Sequence, residues 1–146
     1  MPVFTDNRTR ISVSIPDGWL TKREGFPPQR LTGDADAVII RSPDDIFRLN
    51  ITVGNTLGID TPEENRRLFQ EYYAGSILKE GTIIVDGVEH FAGVYSKWGL
   101  IHKRYVIIKG GKEYAMACAA RLETLDEFEK SAEPVFDNIV LSLKFL

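Results

Sequence analysis

The sequence predicts an α+β fold in which an antiparallel β-sheet of about six strands is flanked by helices. Some segments alternate strictly between apolar and polar residues, as strands with one buried face do. Two other segments combine a helix-capping motif with apolar residues at helical spacing. The chain has 146 residues, of which 43% are hydrophobic and 27% charged, so we expect a single domain over residues 1–146.

The first predicted strand covers residues 10–15, and the Pro-Asp-Gly turn at residues 16–18 ends it. After Trp19, residues 21–36 contain several glycines and prolines and are predicted as a long loop. Because loops of this length are uncommon in a compact domain, the segment either hides a short strand near residues 29–32 or has a binding role.

The next two predicted strands, residues 37–41 and 47–53, form a hairpin. Pro43 presets φ for a type I turn between them. The second strand alternates between apolar and polar residues, which indicates an antiparallel sheet with one side in water.

A helix is predicted to begin after Thr61, because Thr61 and Glu64 form a capping box around a proline at the first helical position. Gly81 is predicted to end it near Glu80. Its apolar residues share one stripe, which predicts a packing role for this helix. They are Leu68, Phe69, Tyr72, Tyr73 and Ile77.

A meander of three strands is predicted next, at residues 82–85 or on through 95, at 100–109 and at 113–121. A second capping box at Thr124 begins the last helix. Pro134 must kink or split this helix, because proline lacks an amide hydrogen and its ring strikes the preceding turn.

The charge balance argues against a nucleic-acid partner. The chain has 18 basic and 21 acidic residues and a net charge of −3, without the positive field that a phosphate backbone requires. The longest uncharged stretch, residues 49–59, is too short to span a membrane. A single cysteine and the absence of a secretory signal predict a cytoplasmic protein. The alternative is an exported protein or lipoprotein whose signal precedes this sequence.

The residues that could perform chemistry are few. His90, His102 and Cys118 are the only histidines and cysteine, and none lies in a zinc-ligand spacing. Cys118 is predicted to be a buried small hydrophobe, and the motifs of serine hydrolases and nucleotide-binding proteins do not occur. The aspartates at positions 34, 36, 44 and 45 are better explained by turns than by a calcium site. We therefore expect no catalytic residue, metal or cofactor.

A face almost without side chains is predicted where three alanines alternate along the strand at 113–121. Either one of the protein's own helices packs there, or the face is a shallow groove for a partner's helix. If the preceding hairpin turn centres on Gly99, four larger side chains also share one face. That face either binds a partner or belongs to the hydrophobic core. The candidate partner-binding residues are thus Phe91, Tyr95, Tyr105, Ile107, Ala115, Ala117 and Ala119.

Residues 11–19, Ile-Ser-Val-Ser-Ile-Pro-Asp-Gly-Trp, resemble the opening strand, proline turn and tryptophan of the PsbP-like superfamily. This superfamily includes PsbP, a Ran-binding nuclear import factor, and DcrB-type and Eag-type bacterial proteins. The order of the later elements is similar over nearly the whole chain. The resemblance implies an α/β/α sandwich, and it implies protein binding, because known members stabilise assemblies, regulate a GTPase or hold apolar helices of secreted effectors.

The leading hypothesis is therefore a non-enzymatic protein-binding module: an adaptor, chaperone or assembly factor. Its expected partner is another protein, such as an apolar helix, a secreted effector or a second copy of the chain. The alternative is a small-ligand-binding protein or an enzyme with a pocket under the loop at residues 21–36.

Overall fold

The computed structural model describes residues 2–7, 9–25 and 36–146. These residues form a seven-stranded sheet, a three-stranded sheet and two helical segments. Every pair of neighbouring strands is antiparallel. The predicted α+β class, an antiparallel sheet flanked by helices, is confirmed.

The large sheet has the strand order β3-β4-β5-β9-β8-β7-β6, and the small sheet has the order β1-β2-β10. In chain order, the strands are β1 (Val3–Asp6), β2 (Ile11–Ser14), β3 (Leu20–Gly25), β4 (Asp36–Arg41), β5 (Phe47–Asn55), β6 (Ile77–Val85), β7 (Val88–Lys97), β8 (Leu100–Lys109), β9 (Lys112–Ala120) and β10 (Lys144–Phe145). The helices are α1 (Pro62–Tyr72), α2 (Leu125–Glu127) and α3 (Glu133–Leu141), and a π-helical turn (Phe128–Ala132) joins α2 to α3.

The capping box of α1 is confirmed, but the helix ends earlier than predicted. Thr61 Oγ1 accepts a hydrogen bond from the Glu64 N–H at 3.1 Å and donates one to the Glu64 carboxylate at 2.8 Å. α1 ends at Tyr72, and Gly75 has a left-handed φ of 85°. The predicted end at Gly81 was wrong, because the residues from Ile77 onward pair with β7 instead.

The prediction of a loop over residues 21–36 was also wrong at both ends. β3 covers the first part and pairs with β4 in continuous register, and Asp36 is already the first residue of β4. β3 is an edge strand rich in charged residues, so it lacks the apolar alternation by which strands are recognised. Residues 29–32 lie outside the described residues.

Pro134 interrupts the regular α-helical pattern of the last helix, as predicted, but does not break the helix in two. Pro134 lies in the first turn of α3, directly after the π-helical turn. Without an amide hydrogen, proline cannot donate to the carbonyl four residues earlier, so the regular helical ladder is interrupted here. The two halves form one continuous helical segment, which we call the C-terminal helix.

The large sheet has two different faces. The core face is covered by the small sheet and the C-terminal helix, and the main hydrophobic core lies between them. Large side chains with almost no exposure fill this core. They include Ile40, Leu49, Ile51, Tyr105, Ile107, Met116, Phe128, Phe136 and Ile139. We call the opposite side the open face; α1 packs there against β7 and β6.

Candidate functional site

A cleft of about 430 Å³ lies on the open face between α1 and strands β5 and β9. We call it the α1 cleft. The end of β5 and the loop after it form one side, and α1 forms the other. The floor comes from β7, β8 and β9, through Phe91, Arg104, Val106, Glu113 and Ala115.

The α1 side of the cleft is aromatic, and Phe69 is its central residue. The Phe69 ring is buried, and its centroid lies 5.1 Å from those of Tyr73 and Phe91 and 5.8 Å from that of Tyr95. The ring also lies directly over Gly93 in β7, where a Cβ would come within 2.6 Å of it. The absence of a side chain at this position lets α1 approach the sheet closely.

A row of stacked rings continues from the cleft to the β7–β8 turn. The Tyr95 ring stacks on those of Tyr73 and His102, with centroid distances of 3.8 and 4.8 Å. The Trp98 and His102 rings meet edge to face, with their centroids 5.9 Å apart. Burial raises the pKa of Tyr95, with a smaller contribution from the adjacent Tyr73. Two aromatic residues of this region are largely exposed: Trp98 at 76% and Tyr72, which lines the cleft, at 77%.

The charged residues of the cleft are Arg104 and Glu113. Their nearest atoms, Arg104 Nη2 and Glu113 Oε1, are 3.9 Å apart, which is too long for a hydrogen bond. Arg104 lies between Gly93 and Ala117 in the sheet register, so small residues flank it on both sides. Ala115 lies in the cleft floor, whereas Ala117 and Ala119 are only partly covered.

The structure divides the predicted partner-binding residues between the two faces. Phe91 and Tyr95 lie on the open face with the three alanines, but Tyr105 and Ile107 are fully buried on the core face. The expected register was wrong by one residue. The two-residue turn consists of Trp98 and Gly99, both with positive φ, so Phe91 pairs with Val106 rather than with Ile107. Such a shift moves every side chain of a strand to the other face.

The chemically reactive residues do not converge. His102 lies on the open face; its Nε2–H donates to the Lys97 carbonyl oxygen at 3.1 Å. His90 Nδ1 accepts from the Ile108 N–H at 3.2 Å, and Cys118 is fully buried in the main core. Burial lowers the pKa of both histidines and raises the pKa of the thiol. Over the described ranges, no group of three or more potential metal ligands is present.

Asp44 and Asp45, two of the four aspartates considered for calcium, act in a turn as predicted, whereas for Asp36 the turn explanation was wrong. Asp44 accepts hydrogen bonds from the Ser42 hydroxyl at 2.6 Å and the Ile46 N–H at 3.1 Å, and the Ser42 bond lowers its pKa. Asp45 forms an ion pair with Arg121 at 3.1 Å. Residue 34 lies outside the described residues, and residue 36 begins β4.

A charged network on the core face was not predicted from the sequence. Lys103 Nζ lies 2.9 Å from carboxylate oxygens of both Glu133 and Asp137, and Tyr105 donates a hydrogen bond to Asp137. Lys79 contacts Glu133 at 2.8 Å. Burial opposes ionisation of Glu133, but the hydrogen bonds from the two lysines outweigh it, so the pKa is lowered. This network joins the C-terminal helix to β6 and β8.

The sequence is not matched by any protein-family model, and the comparison with curated proteins finds no match. The structure is similar to the solution structure of the cyanobacterial PsbP protein CyanoP from Synechocystis sp. PCC 6803. The TM-score is 0.67 at 13% sequence identity, and the match covers 99% of this chain and 92% of that chain. The chain has a PsbP-like fold.

The PsbP-like fold confirms the resemblance seen in residues 11–19 at the level of architecture. The fold alone does not identify the α1 cleft. The sequence pattern did not indicate Arg104 and Glu113 as site residues. Arg104 belongs to the His-Lys-Arg run at residues 102–104, a pattern typical of a solvated strand. Within the described part of the chain, no helix has the length and apolar character needed to cross a membrane.

Proposed function

We propose that this PsbP-like protein is a non-enzymatic protein-binding module, an adaptor, chaperone or assembly factor, that holds an apolar segment of its partner in the α1 cleft. One observation carries the proposal: the cleft combines an aromatic wall with a floor that includes the small residue Ala115, on a face that α1 covers only in part. The small side chain of Ala115 lets a partner approach the sheet closely at that point, and the aromatic side chains supply large apolar contacts.

The surroundings of the cleft support a protein partner. Tyr72 and Trp98 are exposed aromatic residues of the kinds enriched at protein interfaces. Ala117 and Ala119 follow Ala115 along the same face of β9 and are only partly covered, so they add contact surface outside the cleft. An elongated apolar segment can occupy the cleft and also contact these two alanines.

The absence of enzymatic activity is part of the proposal. His102 forms a hydrogen bond with the Lys97 carbonyl oxygen and packs against the rings of Tyr95 and Trp98. Cys118 is fully buried in the core. Neither is aimed into the α1 cleft as a general base or nucleophile would be. We further propose that the protein acts in the cytoplasm, as its composition predicts.

Site-specific photocrosslinking tests the proposal. A photoreactive amino acid at Leu57, which lines the cleft and is 59% exposed, is compared with one at Ile84, which is 61% exposed on the edge strand β6. Under native conditions, we expect Leu57 to capture one protein saturably, and Ile84 not to capture it. Substitution of Thr52, a cleft residue, by tryptophan should abolish the capture. Equal capture at both positions, or capture unaffected by Thr52→Trp, would count against the proposal.

The second candidate function is binding of a small apolar ligand in the same cleft. The volume of about 430 Å³ favours it, because ligand pockets usually measure several hundred cubic ångströms. This site differs from the expected pocket under residues 21–36, of which residues 26–35 lie outside the description. Native mass spectrometry distinguishes the two candidates: a small molecule that stays bound to the purified protein, but not to Thr52→Trp, supports the ligand.

A further inference from the structure

Arg104 and Glu113 have hydrogen-bonding capacity that the fold does not use. Within the described residues, the Arg104 guanidinium donates no hydrogen bond and the Glu113 carboxylate accepts none, although their nearest atoms are only 3.9 Å apart. The side chains are 33% and 20% exposed, so both reach the cleft without being fully solvated. A partly desolvated donor and acceptor, held side by side in an apolar cleft, form a polar anchor.

We infer that this pair binds the main chain of the partner segment: Arg104 donates to a backbone carbonyl, and Glu113 accepts from the N–H of the same residue. This inference rests on the proposed function and specifies its ligand as an extended peptide. In an extended chain, the N–H and C=O of one residue point to the same side, as they do in a hydrogen-bonded antiparallel pair. Their spacing suits a donor and an acceptor about 4 Å apart.

The rest of the cleft fits the same ligand. Side chains of an extended peptide project at right angles to its N–H and C=O groups. A peptide that faces Arg104 and Glu113 with one residue therefore directs that residue's side chain toward the wall of Phe69 and Tyr73 or toward the end of β5. Because one cation and one anion face the ligand, the cleft favours a neutral main chain over a ligand of either charge.

The test uses the capped tripeptide acetyl-Ala-Phe-Ala-N-methylamide and two methylated analogues. Binding to the full-length protein is followed by NMR chemical shifts of Thr52, Phe69 and Ala115, which report on the cleft. Methylation of the phenylalanine nitrogen removes the N–H that donates to the Glu113 carboxylate. Methylation of the following alanine nitrogen is the control, because that N–H points to the opposite side of an extended chain.

We expect the parent peptide and the control analogue to bind in the cleft with similar affinity, and the phenylalanine-methylated analogue to bind at least about tenfold more weakly. Arg104→Gln should cause a similar loss. Arg48→Gln is the matched control, since Arg48 is exposed on neighbouring β5 and outside the cleft lining.

Two results would overturn the inference. One is equal affinity for all three peptides, or for Arg104→Gln and the wild type. The other is an absence of cleft shifts with the parent peptide at millimolar concentration. Either result leaves the proposed function standing if crosslinking from Leu57 still captures a protein, so the two failures are distinguishable.

Discussion

Replacing Gly93 with alanine tests whether close packing of Phe69 on β7 holds α1 and its cleft in place. An alanine Cβ would lie 2.6, 2.8 and 2.9 Å from three atoms of the Phe69 ring. Carbon atoms in contact are normally about 3.5–4.0 Å apart, so the ring must retreat by about 1 Å. It cannot do so freely, because Tyr73, Phe91 and Tyr95 surround it. We expect Gly93→Ala to lower the free energy of unfolding by about 2–3 kcal/mol, the upper part of the range for overpacked cores.

Urea unfolding followed by circular dichroism measures the effect, and Gly81→Ala is the matched control. Gly81 lies in adjacent β6, but a Cβ there meets no atom within 4 Å, so its substitution should cost little. In a Phe69→Ala background the clash is absent, and Gly93→Ala should then also cost little. The reasoning is refuted if Gly93→Ala is no more harmful than Gly81→Ala, or if its cost is the same in both backgrounds.

The remaining predictions concern the charged network, the thiol and the helix cap. The pKa of Glu133 is below its usual 4.5, so its ionised form stabilises the fold above that pH. This contribution is lost as the pH falls through the lowered pKa. Unfolding midpoints measured from pH 7 to 3 should therefore decline less steeply in Glu133→Gln than in the wild type. A thiol reagent such as Ellman's should label Cys118 only in denaturant, and labelling of the native protein at the rate of a free thiol would contradict its burial. Thr61→Ala should lower the free energy of unfolding by about 1 kcal/mol through loss of the α1 cap, whereas Thr61→Ser should retain most of the stability that the cap provides. Equal unfolding midpoints for the two variants would contradict this role.

α1 covers only part of the open face. α1 ends at Tyr72, so it covers the part of the open face around Phe91 and Gly93 but leaves Ala117 and Ala119 partly exposed. A longer helix would require residues from Ile77 onward, which instead form β6. The chain thus passes from α1 into β6 without covering this part of β9.

Several features of the protein were determined by local sequence alone. The capping boxes at Thr61 and Thr124 begin helices because the threonine oxygen accepts an amide hydrogen three residues away, whatever the rest of the fold does. Pro134 interrupts the last helix for an equally local reason, the missing amide hydrogen. Alternation likewise placed Tyr114, Met116 and Cys118 on one buried face.

The tertiary structure alone decided the site. The β7–β8 register depends on whether the turn contains Trp98 and Gly99 or centres on Gly99, and this one-residue difference assigned Tyr105 to the core and Arg104 to the cleft. The approach of Arg104 to Glu113 depends in turn on the pairing of β8 with β9. The register of such strand pairs depends on which side chains of the whole sheet are buried together. It therefore cannot be predicted from any short segment of sequence.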